Sequence, residues 1–553
     1  MRTPRRRFFG ALGAAVVALL VLVAAAPDAG AADSHSLIQG SGSSWAENAV
    51  NQWVADVASE GIQVVYTPDG DAQGRQDFAN RTSDFSVTAD GYQGRDPVTG
   101  VSDTSNGRAY SYLPIAAGGT AFPYQIKFDG QQVENLRLSG ETLAKIFTNQ
   151  ITNWNDPEIT ADNNGHALPS IPIVPVVQSE GSGATNQLTS YFAQEFPSIW
   201  KPFSGGVGNT EYFPRQGDQI AQNGSNAAMN YVSSSSANGS ITYVEYSFAL
   251  SVNYPVVKVL NSAGFYTLPT QFNVAVALED AQINTDPNSP DYLLQNLTDV
   301  YTDPDPRTYP LSSYVYMIEP TGTYPNPESK ITTAKRQSIA DFEYYSICQG
   351  QKEIGPIGYS PLPVNLVEAG FGQIQRLQQA DPGVDLTQRN ILTCDNPTFV
   401  PGQPNANYLA QIAPQPPACD RTGTGPCAAG VTPNGVVVVT PDAGAPGSSS
   451  SAATGSAGSA AAATAVGGSS PAASARIAAA LAAQSTSAAK ANAVAAAAAA
   501  APHPVPATLA AFSTSSSFAV AAPIVVVLLL LIFGLPLFFR YRRSRRPSIE
   551  VDP

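Results

Sequence analysis

The chain has 553 residues, 43% hydrophobic and only 13% charged, with 45 Gly and 45 Pro; it is too long for one small domain and too apolar for a wholly disordered chain. Its net charge of −14 blends two basic tips, Arg2, Arg5, Arg6 and Arg7 at one end and Arg540, Arg542, Arg543, Arg545 and Arg546 at the other, with a strongly acidic middle. Without those nine arginines, Glu550 and Asp552, 20 basic residues face 41 acidic ones, a balance of −21 that argues against nucleic acid or anionic lipid as a partner of the middle.

Residues 1–32 read as a cleaved secretory signal: an Arg cluster, an apolar run from Phe8 to Ala26, and small residues at Ala29-Gly30-Ala31. The string RRRFFG also fits a twin-arginine signal, so the export route stays open between the two. From residue 34 to about 394, short β-type runs (IQVVYT at Ile62, PIVPVV at Pro172, SITYVEY at Ser240, SSYVYMIE at Ser312) alternate with helical-period segments such as SWAENAVNQWVADVAS from Ser44 and SGETLAKIFT from Ser139. This alternation predicts an α/β architecture large enough for two lobes. A stretch from Asn261 to Arg307, rich in Asp, Asn and Pro, reads as a loop-rich insertion.

Residues 395–440 form a Pro/Gly-rich extension, and residues 441–517 collapse to Ala, Ser, Gly and Thr, a composition that makes a tether. Phe518 to Phe539 carries no charge over 22 residues, enough to cross a hydrocarbon core of about 30 Å as a helix. The arginines that follow predict a cytoplasmic tail (540–553), and hence a single-pass cell-membrane protein whose large N-terminal part lies outside. Outside the membrane the four cysteines, Cys348, Cys394, Cys419 and Cys427, suggest disulfides with three possible pairings. Cys419 with Cys427 closes a short Gly/Pro-rich loop and leaves Cys348 with Cys394. The histidines, His35, His166 and His503, share no ligand spacing with the cysteines, so neither a metal site nor a cofactor is expected.

Three stretches at strand-to-helix junctions are candidates for chemistry: GSGSSWAENAV from Gly40, TSDFSVTAD from Thr82, and EGSGATNQLTSYF from Glu180. Two of them offer the unpaired N–H groups of a helix start to an anion. With VVYTPDGDAQGRQDFANRTSDF, LSGETLAKIFTNQITNWNDPEI, NGSNAAMNYV, NGSITYVEYSFAL, YPLSSYVYMI and GYSPLPVNLVE, in this order, the chain resembles the PstS-like phosphate-binding proteins, type II periplasmic solute-binding proteins of ABC transporters. The resemblance implies a type II periplasmic-binding-protein fold, with one lobe from about 33–112 and 256–394, the other from about 113–255, and a hinge near 110–118 and 246–256.

It also implies a phosphate site. Ser44 stands where the family has a hydroxyl donor, Trp45 supplies the adjoining N–H, and Asp90 falls where an aspartate accepts a phosphate proton. Ser182 and Gly183 take the places of a hydroxyl and an N–H donor at a helix start. Three positions depart: Asp71 replaces a serine, Gln178 an arginine, and Ala184 a threonine, unless Thr185 shifts into register. The arginine would supply bidentate charged hydrogen bonds; Arg75, Arg95 and Arg215 are the substitutes at hand, each expected on the surface. The leading expectation is capture of phosphate or a related small anion between two lobes for an ABC permease. The alternative is a surface-anchored interaction protein with a degenerate site. A glycosidase-like use of Asp71, Asp90 and Glu180 is disfavoured, since no nucleophile-plus-base pair is visible.

Overall fold

The computed structural model describes residues 35–323, 328, 330–403 and 406–427. The expected signal (1–32), linker (441–517), membrane span (518–539) and tail (540–553), with the end of the extension from residue 428, lie outside the described residues. Among the described residues no helix is long and apolar enough to cross a membrane.

The β-type runs become strands. One sheet carries six, in the order Val244–Glu245, Tyr110–Ala121, Ser312–Pro320, Phe85–Thr88, Ile38–Gly42 and Val64–Thr67. The last three are parallel to one another, whereas Ser312–Pro320 runs antiparallel to both its neighbours. Helices cover the sheet, and Ser312–Pro320 is buried at every residue, which is why it reads as an unbroken apolar and aromatic run. The helix Glu47–Ala58 turns Ala49, Val50, Trp53 and Val57 inward, the apolar stripe its periodicity predicts. Pro114 sits in the middle of a central strand, where it cannot donate to the ladder; the register slips beside it, between Val315 and Tyr316, and the irregularity absorbs it.

A second, three-stranded parallel sheet, Ile220–Gln222, Val174–Gln178 and Ser240–Ile241, forms the other lobe with the helices Gly140–Phe147, Gly183–Glu195 and Gly224–Ser233. Ser139 caps the first of these, its hydroxyl accepting from the Thr142 N–H at 3.2 Å. Phe122, Phe147, Phe192, Trp200, Phe213 and Tyr243 pack this lobe's core ring against ring.

Residues 110–118, expected near a hinge, form most of the long strand Tyr110–Ala121, where they pair along Ser312–Pro320. The chain crosses to the second lobe after Ala121, beside the bridges Pro123 to Val256 and Tyr124 to Ile241. Within this strand Gly118 and Gly119 leave room for Trp45, Pro269 and Tyr309, which press against them.

The loop-rich insertion carries short elements between its loops. It contributes the helix Gln271–Ala277, the hairpin Gln282–Ile283 with Gln295–Asn296, and the short helix Thr298–Tyr301. The extension folds back: Leu409, Ala410 and Ala413 bury against Ala275 and Val276. Further on, Asp420 pairs with Lys258 at 2.7 Å, and Arg137 donates to the carbonyls of Cys419 and Thr424. The disulfides are Cys348–Cys394 and Cys419–Cys427.

Candidate functional site

The two lobes meet on the three junctions that the sequence singles out. Gly70 precedes the helix Asp71–Ala79 at φ 106°, and a Cβ there would stand 2.9 Å from the Glu180 side chain and 3.0 Å from the Gly181 carbonyl. Only glycine allows both that backbone and that approach. Next to it the Ala72 N–H donates to the Gly181 carbonyl at 3.1 Å, closing one lobe on the other.

Asp71 is fully buried, and its carboxylate spans the cleft. Oδ2 accepts from the backbone N–H of Gly183 at 2.8 Å, the first residue of the helix Gly183–Glu195, and Oδ1 accepts from the Ala89 N–H at 2.7 Å. A helix N-terminus with free N–H groups is a ready anion seat, and this one is filled by the protein's own carboxylate. Ser44 does the same at a second helix start. Rather than capping its own helix, its hydroxyl accepts from the Ser225 N–H at 3.1 Å, in the first turn of Gly224–Ser233.

Arg75 belongs to this site and not to the surface. It lies one helical turn after Asp71 and is completely buried. Its guanidinium forks onto Glu211 of the other lobe, with Nη1 to Oε1 at 2.9 Å and Nη2 to Oε2 at 2.5 Å. It also donates to both oxygens of Asp103 and to Thr88, and Asp90 stands 3.8 Å away. Arg95 and Arg215 are exposed, as expected.

Four carboxylates thus surround one arginine. Burial pushes Asp71 up to about 6, with the nearby Glu211 charge adding to the shift and the Gly183 and Ala89 N–H groups opposing it. Burial likewise raises Asp90 to about 6, against the pull of Arg75. Glu211 is pushed up to about 8 by burial although Arg75 draws it down. A buried acid is costly to ionise without full compensation, so this cleft gains protons readily.

The remaining predicted residues divide. Asp90 lies at the cleft and accepts from the Gln93 side chain at 2.7 Å. Gln178 and Ser182 are buried and engage each other, while Gln178 also donates to the Tyr243 carbonyl at 3.2 Å. Trp45 is core: its indole N–H donates to Thr120 and its ring packs edge-on against Tyr359. Ala184 is buried in the second lobe's core, and Thr185 does not swing into its place, because its hydroxyl is bonded to that of Tyr243 at 2.8 Å. Sequence reasoning missed Glu211 and Asp103. No motif marks Glu211, which stands in an irregular loop with Arg215 and Asp218; the spacing of Asp71 and Arg75, one turn apart at a helix start, was the available signal for Arg75.

Comparison with known proteins bears on the family. A family model described as a PBP superfamily domain matches residues 25–348, more than half of the chain. The chain is 32% identical over 337 residues to Phosphate-binding protein PstS 2 of Mycobacterium tuberculosis, covering 59% of this chain and 83% of the relative. It is 30% identical over 334 residues to Phosphate-binding protein PstS3 of Mycobacterium bovis, covering 59% and 82%. Among solved structures it is similar to a high-affinity periplasmic phosphate-binding protein bound with phosphate, at 17% identity and a TM-score of 0.49, covering 63% of this chain and 99% of that one. The family-model match and the length over which the mycobacterial relatives align settle the affiliation: the chain belongs to the PBP superfamily and, within it, to the PstS-like solute-binding proteins.

Proposed function

We propose that this protein is the extracellular solute-binding component of an ABC transporter, with phosphate or a related small oxyanion as a ligand of the cleft, and that it binds without catalysing a reaction. The observation that carries this reading is the Asp71 carboxylate on the Gly183 and Ala89 N–H groups. An oxyanion of the protein occupies the kind of helix-start seat that binds oxyanions, and the names of the relatives attach phosphate to the family. Binding would proceed by hinge closure, the ligand favouring the closed state through contacts to both lobes.

In this chain the ligand must displace Asp71 from its seat and face Asp90, Asp103 and Glu211 with only Arg75 in support. Phosphate binding is therefore weak at neutral pH and strengthens as Asp71 and Asp90 take up protons near pH 6. Calorimetric titration of the full chain with phosphate at pH 5.5 and pH 7.5 tests this; tighter binding at pH 5.5 is expected, and no heat at either pH up to millimolar phosphate removes phosphate as the ligand. The uncharged run Phe518–Phe539 before five arginines supports anchoring by a C-terminal helix. Membrane fractionation of cells expressing the chain with and without residues 518–553 checks the anchor.

A further inference from the structure

Beside Asp90 the surface between the lobes opens into a second hollow of about 680 Å³. One wall is the outer face of the helix Gly183–Glu195 with Gly208 and Asn209; the other is Ala89–Gly91 with Leu294 to Tyr301, supplied by the insertion. Its volume falls in the range of about 300–1,000 Å³ typical of sites for organic small molecules. A bare tetrahedral oxyanion would leave most of it to water.

Its chemistry is neutral. No lysine or arginine lines it, and Asp90 is its only charged side chain, so an anion finds no counter-charge there. Six side-chain amides line it instead, from Asn186, Gln187, Gln194, Asn209, Gln295 and Asn296, together with hydroxyls such as those of Ser190 and Thr298. An amide presents donor and acceptor side by side, the same pair that each hydroxyl of a polyol presents.

The amides are partly fixed in place. Gln295 is held at both ends by backbone groups, donating to the Tyr314 carbonyl at 3.0 Å and accepting from the Tyr314 N–H at 2.7 Å. Asn209 donates to the Asn186 carbonyl oxygen at 2.8 Å, which uses one end of each amide and leaves the other for a ligand. The Thr298 hydroxyl donates to the Asn296 side-chain oxygen at 2.7 Å and stands 3.4 Å from the Gln194 oxygen across the lobes. Tyr301 and Leu294 add apolar surface against which the C–H face of a ring can lie.

We propose that this chamber takes a neutral, hydroxyl-rich organic solute, a sugar or polyol, with Asp90 accepting from its hydroxyls. The proposal rests on the reading of the cleft as a solute-binding site, but not on phosphate being the solute. Calorimetric titration of the full chain with glucose, ribose, myo-inositol and glycerol, and separately with inorganic phosphate at pH 5.5, tests it.

At least one of the four neutral probes is expected to bind at millimolar concentration or below. The double variant Gln187→Leu with Asn209→Leu is expected to weaken that binding at least tenfold, and Ala193→Trp, which fills the chamber, to abolish it. Near-unchanged far-ultraviolet circular dichroism shows that the variants still fold. No binding of any of the four, or binding that neither variant alters, overturns the chamber. If phosphate still binds in that case, the solute-binding reading stands without it; if phosphate fails as well, both fall.

Discussion

Asp71 is a single residue that reverses the sign of its site. Where the PstS-like pattern places a serine hydroxyl, this chain places a carboxylate that sits on the Gly183 N–H and is walled in so closely that a Cβ on Gly183 would stand 2.5 Å from its Oδ1. Asp71→Ser should free the seat and tighten phosphate binding at pH 7.5 at least tenfold by calorimetry; an unchanged affinity would show that Asp71 does not compete with the ligand. The same substitution should flatten the pH dependence between 5.5 and 7.5, because one of the two acids that titrate near 6 has gone. Gln178→Arg is a poorer repair than alignment alone suggests. Gln178 is buried among Ser182, Ser225 and the Tyr243 carbonyl, where a longer cation lacks a partner. Residue identities at Ser44, Asp71 and Gly183 were legible because they lie at fixed offsets from glycine-rich turns. Glu211 was not, because its role depends on an arginine brought from another lobe.

The element that organises the site is the helix Asp71–Ala79, which carries an acid on its first turn and a base on its second, both pointing into the same buried space. Arg75 neutralises a cluster that would otherwise be all carboxylate. Arg75→Met should destabilise the protein by about 3–5 kcal/mol, the usual cost of leaving a buried charge without its partner. Urea unfolding measures this, and a change under about 1 kcal/mol would mean that the acids are neutral without Arg75. Periodicity read the helices and strands well, including the run at Ser312 and the helix after Ser44, because each buries one face or both. It was least informative in the strand Tyr110–Ala121 and in the insertion, whose elements are short. In the strand Tyr110–Ala121 small residues answer to bulky neighbours, and in the insertion Asp, Asn and Pro mark turns between elements that do pack.

Across the whole molecule, buried acids dominate the response to pH. Burial raises Asp69, Asp71 and Asp90 to about 6 and Glu47 and Glu319 to about 7. An acid with a higher pKa folded than unfolded stabilises the fold while protonated; that contribution is complete below its unfolded value and is lost as pH rises through the folded one. The melting temperature should therefore be higher at pH 5.5 than at pH 8, by differential scanning calorimetry, and equal values would contradict the burial of these groups. Reducing the Cys348–Cys394 bridge, which spans 46 residues, should cost about 2–4 kcal/mol by releasing a long loop in the unfolded chain. The fold-back of residues 406–427 has a mechanical consequence. Tension applied beyond Cys427 first meets a loop locked by its own disulfide, gripped by Arg137 at two carbonyls and by Lys258 at Asp420. A pull on that end is borne first by these contacts and by Leu409 and Ala410 against Ala275 and Val276, none of which involves Asp71 or Arg75.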